Sequence, residues 1–485
     1  MSIANLNPTR VWKHFESLTQ IPRPSKKEAK AVAFLENYGK SLGLETIKDE
    51  LGNIIIRKPA TKGMENRKGI ILQAHIDMVP QKNSDKVHDF EKDPIQPRVV
   101  EEWVYATGTT LGADNGMGVA VAMAVLEAKD LTHGPIEVLV TVDEETGMTG
   151  ARGLKRGLLK GDILINLDSE DEGELYVGCA GGLDATATFR YTAVPVPVDY
   201  VGLDLAITGM KGGHSGMDIV LGRGNANKAL VRILLPLIEK ADAMISSFEG
   251  GSLRNAIPRE SFATIAVPAS KVATAKKIAS KHFKEMKSEL SAHEPTLNVE
   301  IKAAKKPAKA IDPVVAAKAV KAIYACPNGV ERMSDAMPGL VETSNNLAIV
   351  KSGNGKIDVK CLMRSSVDSA KDVYASSLKS VFDLAGAEVK LTGGYPGWKP
   401  NMDSDILATM KNIYKKLYGN EPEVKAIHAG LECGILGGTY PNWDMISCGP
   451  TIRSPHSPDE RVNINTVEKW WNYIVAVLKD APLKK

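Results

Sequence analysis

Cysteine is scarce in this chain. Its 485 residues hold five, Cys179, Cys326, Cys361, Cys433 and Cys448, widely spaced and with no CxxC pair. That spacing excludes a cysteine zinc ribbon and a disulfide framework, and it predicts free thiols in a reducing compartment. Long apolar runs are missing as well. None approaches the ~20 residues a membrane-spanning helix needs, so no span is expected. The opening, MSIANLNPTRVWKHF, lacks the apolar core of a secretory signal, and the cytoplasm is the expected location. There is little excess charge of either sign. A net charge of +3 is small for this length and gives no basis for binding nucleic acid or a membrane surface. The lysines of 276–287 read as the wet face of a helix.

What is present is ordinary globular protein, 43% hydrophobic and 25% charged. The length is too great for one core, so two domains are expected. A helix is predicted around Pro8–Leu18. A second follows a Ser25/Glu28 capping box and stops at Gly43. Asn53–Arg57, Ile70–Ala74, Ile136–Val142 and Asp162–Leu167 read as strands, the last three as continuous apolar runs suited to a sheet covered on both faces. Residues 80–110 are polar and irregular, and an alanine-rich helix begins after LGADNGMG. This alternation predicts an α/β fold with a mostly parallel sheet between helices.

The pattern changes near Tyr191. Strands, helices and the turn RNAIPRE then follow the order βαββαβ, a ferredoxin-like unit, and a second, similar set of elements follows it. Asn255-Ala256-Ile257 in the first set is echoed by Asn346-Leu347-Ala348 in the second. We therefore expect a discontinuous catalytic domain, residues 1–190 and 397–485, with an inserted α+β lid of duplicated ferredoxin-like units over 191–396. GGYPGWKP is the expected hinge.

Metal-type residues stand at the ends of the predicted catalytic strands. IILQA ends on His75, IEVLVTV on Asp143-Glu144-Glu145 and DILINL on Asp168, while DMISCG is followed by His456. Asp114 stands where a loop enters a helix. Sites in open α/β sheets form outside the carboxyl ends of the strands, and unrelated surface carboxylates have no reason to gather there. Two histidines with several carboxylates make an N/O donor set suited to zinc, cobalt or manganese. They exceed what one catalytic zinc takes. If one carboxylate bridges, they divide into three ligands for each of two ions, which sit ~3.5–4 Å apart in such sites. Neighbouring Glu144 and Glu145 point in different directions from a turn, so one can ligate while the other faces a water. Asp77, two residues past His75, is placed to fix its tautomer.

The motifs HID at 75–77, GADNG at 112–116, DEETGMTGA at 143–151, LDSED at 167–171 and PHSPDE at 455–460 resemble those of the M20 metallopeptidases. The match spans the expected catalytic domain. The long insert and the HAGLECG loop are similar to the branch of that family that cleaves dipeptides. The resemblance implies that Asp114 bridges two ions, that His75 and Asp168 complete one site and that Glu145 and His456 complete the other. It implies Glu144 as general base of a metal-bridged hydroxide, and a cis peptide at Asp114–Asn115. In the insert, it implies that His214 of GGHSG reaches the scissile carbonyl and that Arg364 binds the substrate carboxylate. Where members with short lids carry an arginine after the NxIP turn, this chain reads IAVP. The arginine stands instead as Arg364, as if two units had divided the work. His214 is then expected to act within its own chain, with action across a homodimer as the alternative. Asn255 is a candidate substrate contact, and Glu432 a candidate acceptor for a free α-ammonium.

The expected activity is hydrolysis of unblocked dipeptides, Xaa-His types included, with two divalent ions, Zn2+ first and Co2+ or Mn2+ as alternatives. The alternatives are an N-acyl amino acid amidohydrolase or deacylase, and an inactive metal-stabilised binding protein.

Overall fold

The computed structural model describes residues 2–484. Contacts divide the chain into two compact units. One runs to Cys179 and resumes over Pro400–Ala426 and from Leu431 onward; the other comprises Ala180–Lys399 and Ile427–Gly430.

The first unit holds an eight-stranded sheet. Its four central strands, Ile136–Thr141, Ile70–His75, Ile163–Asn166 and Asp444–Ser447, are mutually parallel, and antiparallel strands flank them. Every residue of the first three is buried, as apolar runs between two helical layers should be. Ile70 lies opposite Ile136 and Ile163, and Asp444 lies opposite Ile163. With starts aligned and lengths similar, the carboxyl ends emerge at one rim. The alanine-rich helix, Ala113–Glu127, is buried along almost its whole length. Its small residues permit close approach: a Cβ on Gly118 would meet the Leu167 carbonyl oxygen at 2.8 Å.

Two local expectations change. The capping box does not form. The helix begins at Ala29 without a side-chain cap, because both side chains find partners near the strand ends. Ser25 Oγ donates to Asp77 Oδ2 at 2.8 Å, and Glu28 Oε1 accepts from the Lys26 and Asp143 amides. The irregular stretch 80–110 contains strands Pro97–Val100 and Trp103–Ala106, which join Arg461–Asn463 and Ile452–Arg453 in a small sheet. Gly43 does follow the helix end, at φ +70°.

The second unit is built on a nine-stranded antiparallel sheet. Strands Tyr200–Thr208, Met244–Gly250, Ser261–Pro268 and Asn298–Ala304, with helices Ala226–Ala241 and Val272–Glu289, form one ferredoxin-like half. The other half uses helices Pro313–Ala325 and Asp368–Leu384 with strands Val341–Gly353, Lys356–Ser365 and Glu388–Tyr395. Its opening strand is Gly181–Arg190, which pairs with Lys356–Ser365 and Glu388–Tyr395. The strand order is the same in each half. The duplication is therefore interleaved, the first half being inserted after the opening strand of the second. The sequence GGLDATATFR is too rich in small residues to read as a strand. The halves join where Glu249 and Gly250 pair with Lys351 and Val350, and all four helices share one core with the inward side chains of the sheet, such as Leu203, Leu205 and Ile207.

The Asn-based echo does not mark equivalent positions. Asn346 lies within a strand, whereas Asn255 lies in the connection between two strands. They meet instead, since Asn346 Nδ2 donates to the Arg254 and Ala256 carbonyls.

Candidate metal centre

In the first unit, five donors converge at the sheet rim. His75 Nε2 lies 3.2 Å from Asp114 Oδ1 and 3.3 Å from Asp168 Oδ1. His456 Nε2 lies 3.1 Å from Asp114 Oδ2 and 3.0 Å from Glu145 Oε2. Asp114 thus offers one oxygen to each imidazole, and the donors fall into two triads that share it. The set fits a pair of divalent ions on chemical grounds. Its nitrogens and oxygens suit zinc-like metals, and the Nε2 of each imidazole faces carboxylates. The electrostatics agree. Burial alone would lower the His75 pKa, but Asp168 and the bonds to Asp114, Asp168 and Asp77 raise it well above its ordinary value. Bonds to Asp114 and Glu145 push His456 up to about 11, and burial pushes Asp168 up to about 7. Such crowding of anions in a partly buried site calls for positive charge.

The residues behind the donors are specific. Asp77 is fully buried, with Oδ1 3.3 Å from His75 Nδ1. It also accepts the Glu144 amide at 3.0 Å and the Glu145 amide at 3.2 Å. One carboxylate therefore orients the imidazole of one triad and the turn that supplies the other. Asp143 and His456 take left-handed backbone conformations, φ +53° and +59°, which non-glycine residues seldom adopt and which aim the chain at the site. The Asp114–Asn115 peptide is cis. Glu144 pairs with neither imidazole Nε2; burial raises its pKa well above the usual carboxylate range.

Beneath the donors, a belt of polar side chains crosses the strands. Asn166 Nδ2 donates to Gln73 Oε1, and Gln73 Nε2 to Glu432 Oε2 at 2.6 Å; Thr141 Oγ1 donates to the same oxygen at 2.7 Å. Glu432 is 1% exposed, and its Oε1 has no hydrogen-bond partner. Burial pushes it up to about 7.

The second unit holds the remaining candidates. His214 Nδ1 accepts the amides of Gly216 and Met217, which leaves the proton of a neutral ring on Nε2. Burial, then the Arg364 charge, lower its pKa and favour that neutral ring. Arg364 is 5% exposed. Its Nη1 bonds Tyr395 Oη at 3.2 Å, its Nε has no acceptor, and no carboxylate pairs with it among the described residues. Nearby, His428 is buried with Nε2 2.7 Å from Ser344 Oγ. Asn255 is exposed, and its backbone carbonyl accepts the Ser215 amide.

Sequence reasoning missed the buried groups that hold these segments. Ser25, Glu28, Arg23 and Glu460 bond main-chain atoms or carboxylates far away along the chain. The only signal was for Glu460, which ends the PHSPDE motif.

A mostly parallel sheet with two donor triads sharing an aspartate at its carboxyl rim defines the two-metal hydrolase class. The sequence matches the model of peptidase family M20/M25/M40 over residues 71–480, and the chain belongs to that family. It is 46% identical to the cytosol non-specific dipeptidase of Escherichia coli strain K12 over 482 residues, covering 99% of each chain. Its structure is similar to that of an aminoacylhistidine dipeptidase from Vibrio alginolyticus, with TM-score 0.96, 48% identity, and 100% and 99% of the two chains covered. An aminopeptidase from Bacillus cereus, at TM-score 0.59 and 18% identity over 98% and 99% of the chains, shares the fold alone.

Proposed function

We propose that this chain is a two-metal dipeptidase that hydrolyses unblocked dipeptides, Xaa-His types among them, in the cytoplasm. The observation that carries the reading is the pair of triads sharing Asp114, with Glu144 as a spare carboxylate beside them. A purely structural metal site has no use for such a group. Two Zn2+ ions, replaceable by Co2+ or Mn2+, would be held by His75, Asp114 and Asp168 and by Asp114, Glu145 and His456. When bound, they would lower the pKa of a water to ~7 and polarise the scissile carbonyl.

The protein's own groups do the rest. Glu144 takes the proton of the attacking water and returns it to the leaving amine. His214, with Nδ1 occupied, presents an Nε2–H donor to the oxygen on which negative charge develops. Arg364 binds the C-terminal carboxylate. A buried guanidinium without an anion is costly, and a substrate carboxylate relieves that cost with paired hydrogen bonds. Glu432 is the proposed acceptor of the α-ammonium through its unpaired Oε1, which is shielded from solvent and must be uncovered for that contact, and Asn255 adds a polar substrate contact. A clamp on each terminus would limit substrates to dipeptides. The names of the Escherichia coli and Vibrio alginolyticus relatives support the substrate class, and the five buried free thiols fit a reducing compartment.

The test is a dipeptide panel on metal-loaded protein, with N-acetylated and C-amidated counterparts. Cleavage of the free dipeptides alone is expected, together with loss of activity in chelator and its return with zinc, cobalt or manganese. Glu144→Ala should keep its metal and lose nearly all turnover. Equal cleavage of N-acetylated substrates would favour a deacylase instead.

A further inference from the structure

Glu460 is 2% exposed, and its carboxylate bonds main-chain amides rather than any donor side chain of the triads. Its Oε2 accepts the amides of Leu111 at 2.7 Å and Gly112 at 2.9 Å, and its Oε1 those of Ala113 at 2.7 Å and Asp114 at 3.1 Å. One carboxylate therefore satisfies the main chain leading into the helix that carries Asp114. On the other side of that segment lies Arg23, 1% exposed. Its Nη2 donates to the Gly112 carbonyl at 2.7 Å, and its Nη1 donates to the carbonyls of Ile76 at 2.9 Å and Asp77 at 3.3 Å. Gly112 is thus held through its amide by an anion and through its carbonyl by a cation. It adopts φ +71°, and a Cβ there would stand 2.6 Å from Arg23 Nη2, so no larger residue fits between them.

The arrangement joins three ligand-bearing segments. Arg23 spans the turn after His75 and the Asp114 loop, and Glu460 spans the Asp114 loop and the loop of His456, four residues before it. The orientation of Asp114 matters more than that of any other donor, since each of its oxygens faces a different imidazole. We infer that Glu460 and Arg23 are positioning residues that together set Asp114 for both triads, so that affinity for two ions rests on one buried carboxylate and guanidinium outside the ligand set. This inference rests on the two-metal reading proposed above.

Glu460→Gln is the direct test. A carboxamide offers one acceptor oxygen where four amides converge, and its own N–H groups oppose those it faces. Metal affinity is measured by calorimetric titration of chelator-stripped protein with Zn2+, alongside circular dichroism, apo-protein melting, kcat and KM. The expected result is a folded protein in which both binding steps weaken by about 10–100-fold, the range for groups that orient ligands. Its kcat should be reduced at subsaturating zinc and largely restored at high zinc, with little change in KM. Arg23→Gln should show the same pattern. Should Glu460→Gln not fold, Glu460→Asp, which keeps the charge but withdraws it by one methylene, is read in the same titration and is expected to weaken both steps. Wild-type affinity for two ions in any folded member of this set overturns the inference, even if melting is lower, because a merely structural residue would move only the melting temperature. Failure of the wild type to bind two ions overturns the underlying reading instead.

Discussion

His428 shows what a single buried group contributes beyond the chemistry. Burial, and after it the Arg364 charge, push its imidazole down to about 3, whereas an unfolded histidine titrates near ~6.5. Between those values the unfolded chain binds a proton that the folded chain refuses. Stability contributed by the neutral ring is therefore complete above the unfolded pKa and is lost as pH falls below it, by at most about 1.4 kcal/mol per pH unit, until the folded pKa is reached. His428→Gln keeps a polar partner for Ser344 and removes the titration. Its melting temperature should fall less between pH 7 and pH 5 than that of the wild type. Parallel pH profiles would count against this account. The same scale explains why the donors were legible and their supports were not. His75, Glu145 and Asp168 carry metal-type side chains at or just past a strand end, and Asp114 and His456 stand in the GADNG and PHSPDE motifs. Glu460 and Arg23 work on main-chain amides and carbonyls, which every residue has, so nothing in the sequence points to their partners.

Among the elements, the parallel strands announced themselves because burial on both faces demands unbroken apolar runs, and their aligned starts make the rim. Strand Gly181–Arg190 hid because its inward positions include Ala185 and Ala187, too small to signal a core. Close main-chain approach hid for the same reason, being visible only in glycines. Gly449 follows the strand that leads to His456, and a Cβ there would overlap the Ser169 carbonyl oxygen, next to Asp168. Gly449→Ala must push these two segments apart. It should cost about 1–3 kcal/mol, the usual range for overpacking, and weaken zinc binding without loss of secondary structure. Melting and metal titration check this together, and a variant matching the wild type in both would refute it.

For the whole molecule, His214 and Arg364 belong to different halves of one interleaved unit. That division supports the proposal that each chain supplies its own His214. Mixing inactive His214→Ala with inactive Glu144→Ala protein should then restore nothing. Any recovered activity would mean that the histidine crosses between subunits.

The interleaving also sets a timetable. During synthesis, Gly181–Arg190 leaves the ribosome before the entire first ferredoxin-like half and waits for Lys356–Ser365, while the first half can already close on itself. Asp444–Ser447 and His456 arrive later still, to sit beside strands made hundreds of residues earlier. Domains that fold as units during elongation cannot help here, because one triad lacks its imidazole until His456 is made. On the two-metal reading proposed above, a chain interrupted before that point would hold His75, Asp114, Glu145 and Asp168 but not the full donor set, so a nascent chain should not hydrolyse peptides until His456 has been delivered.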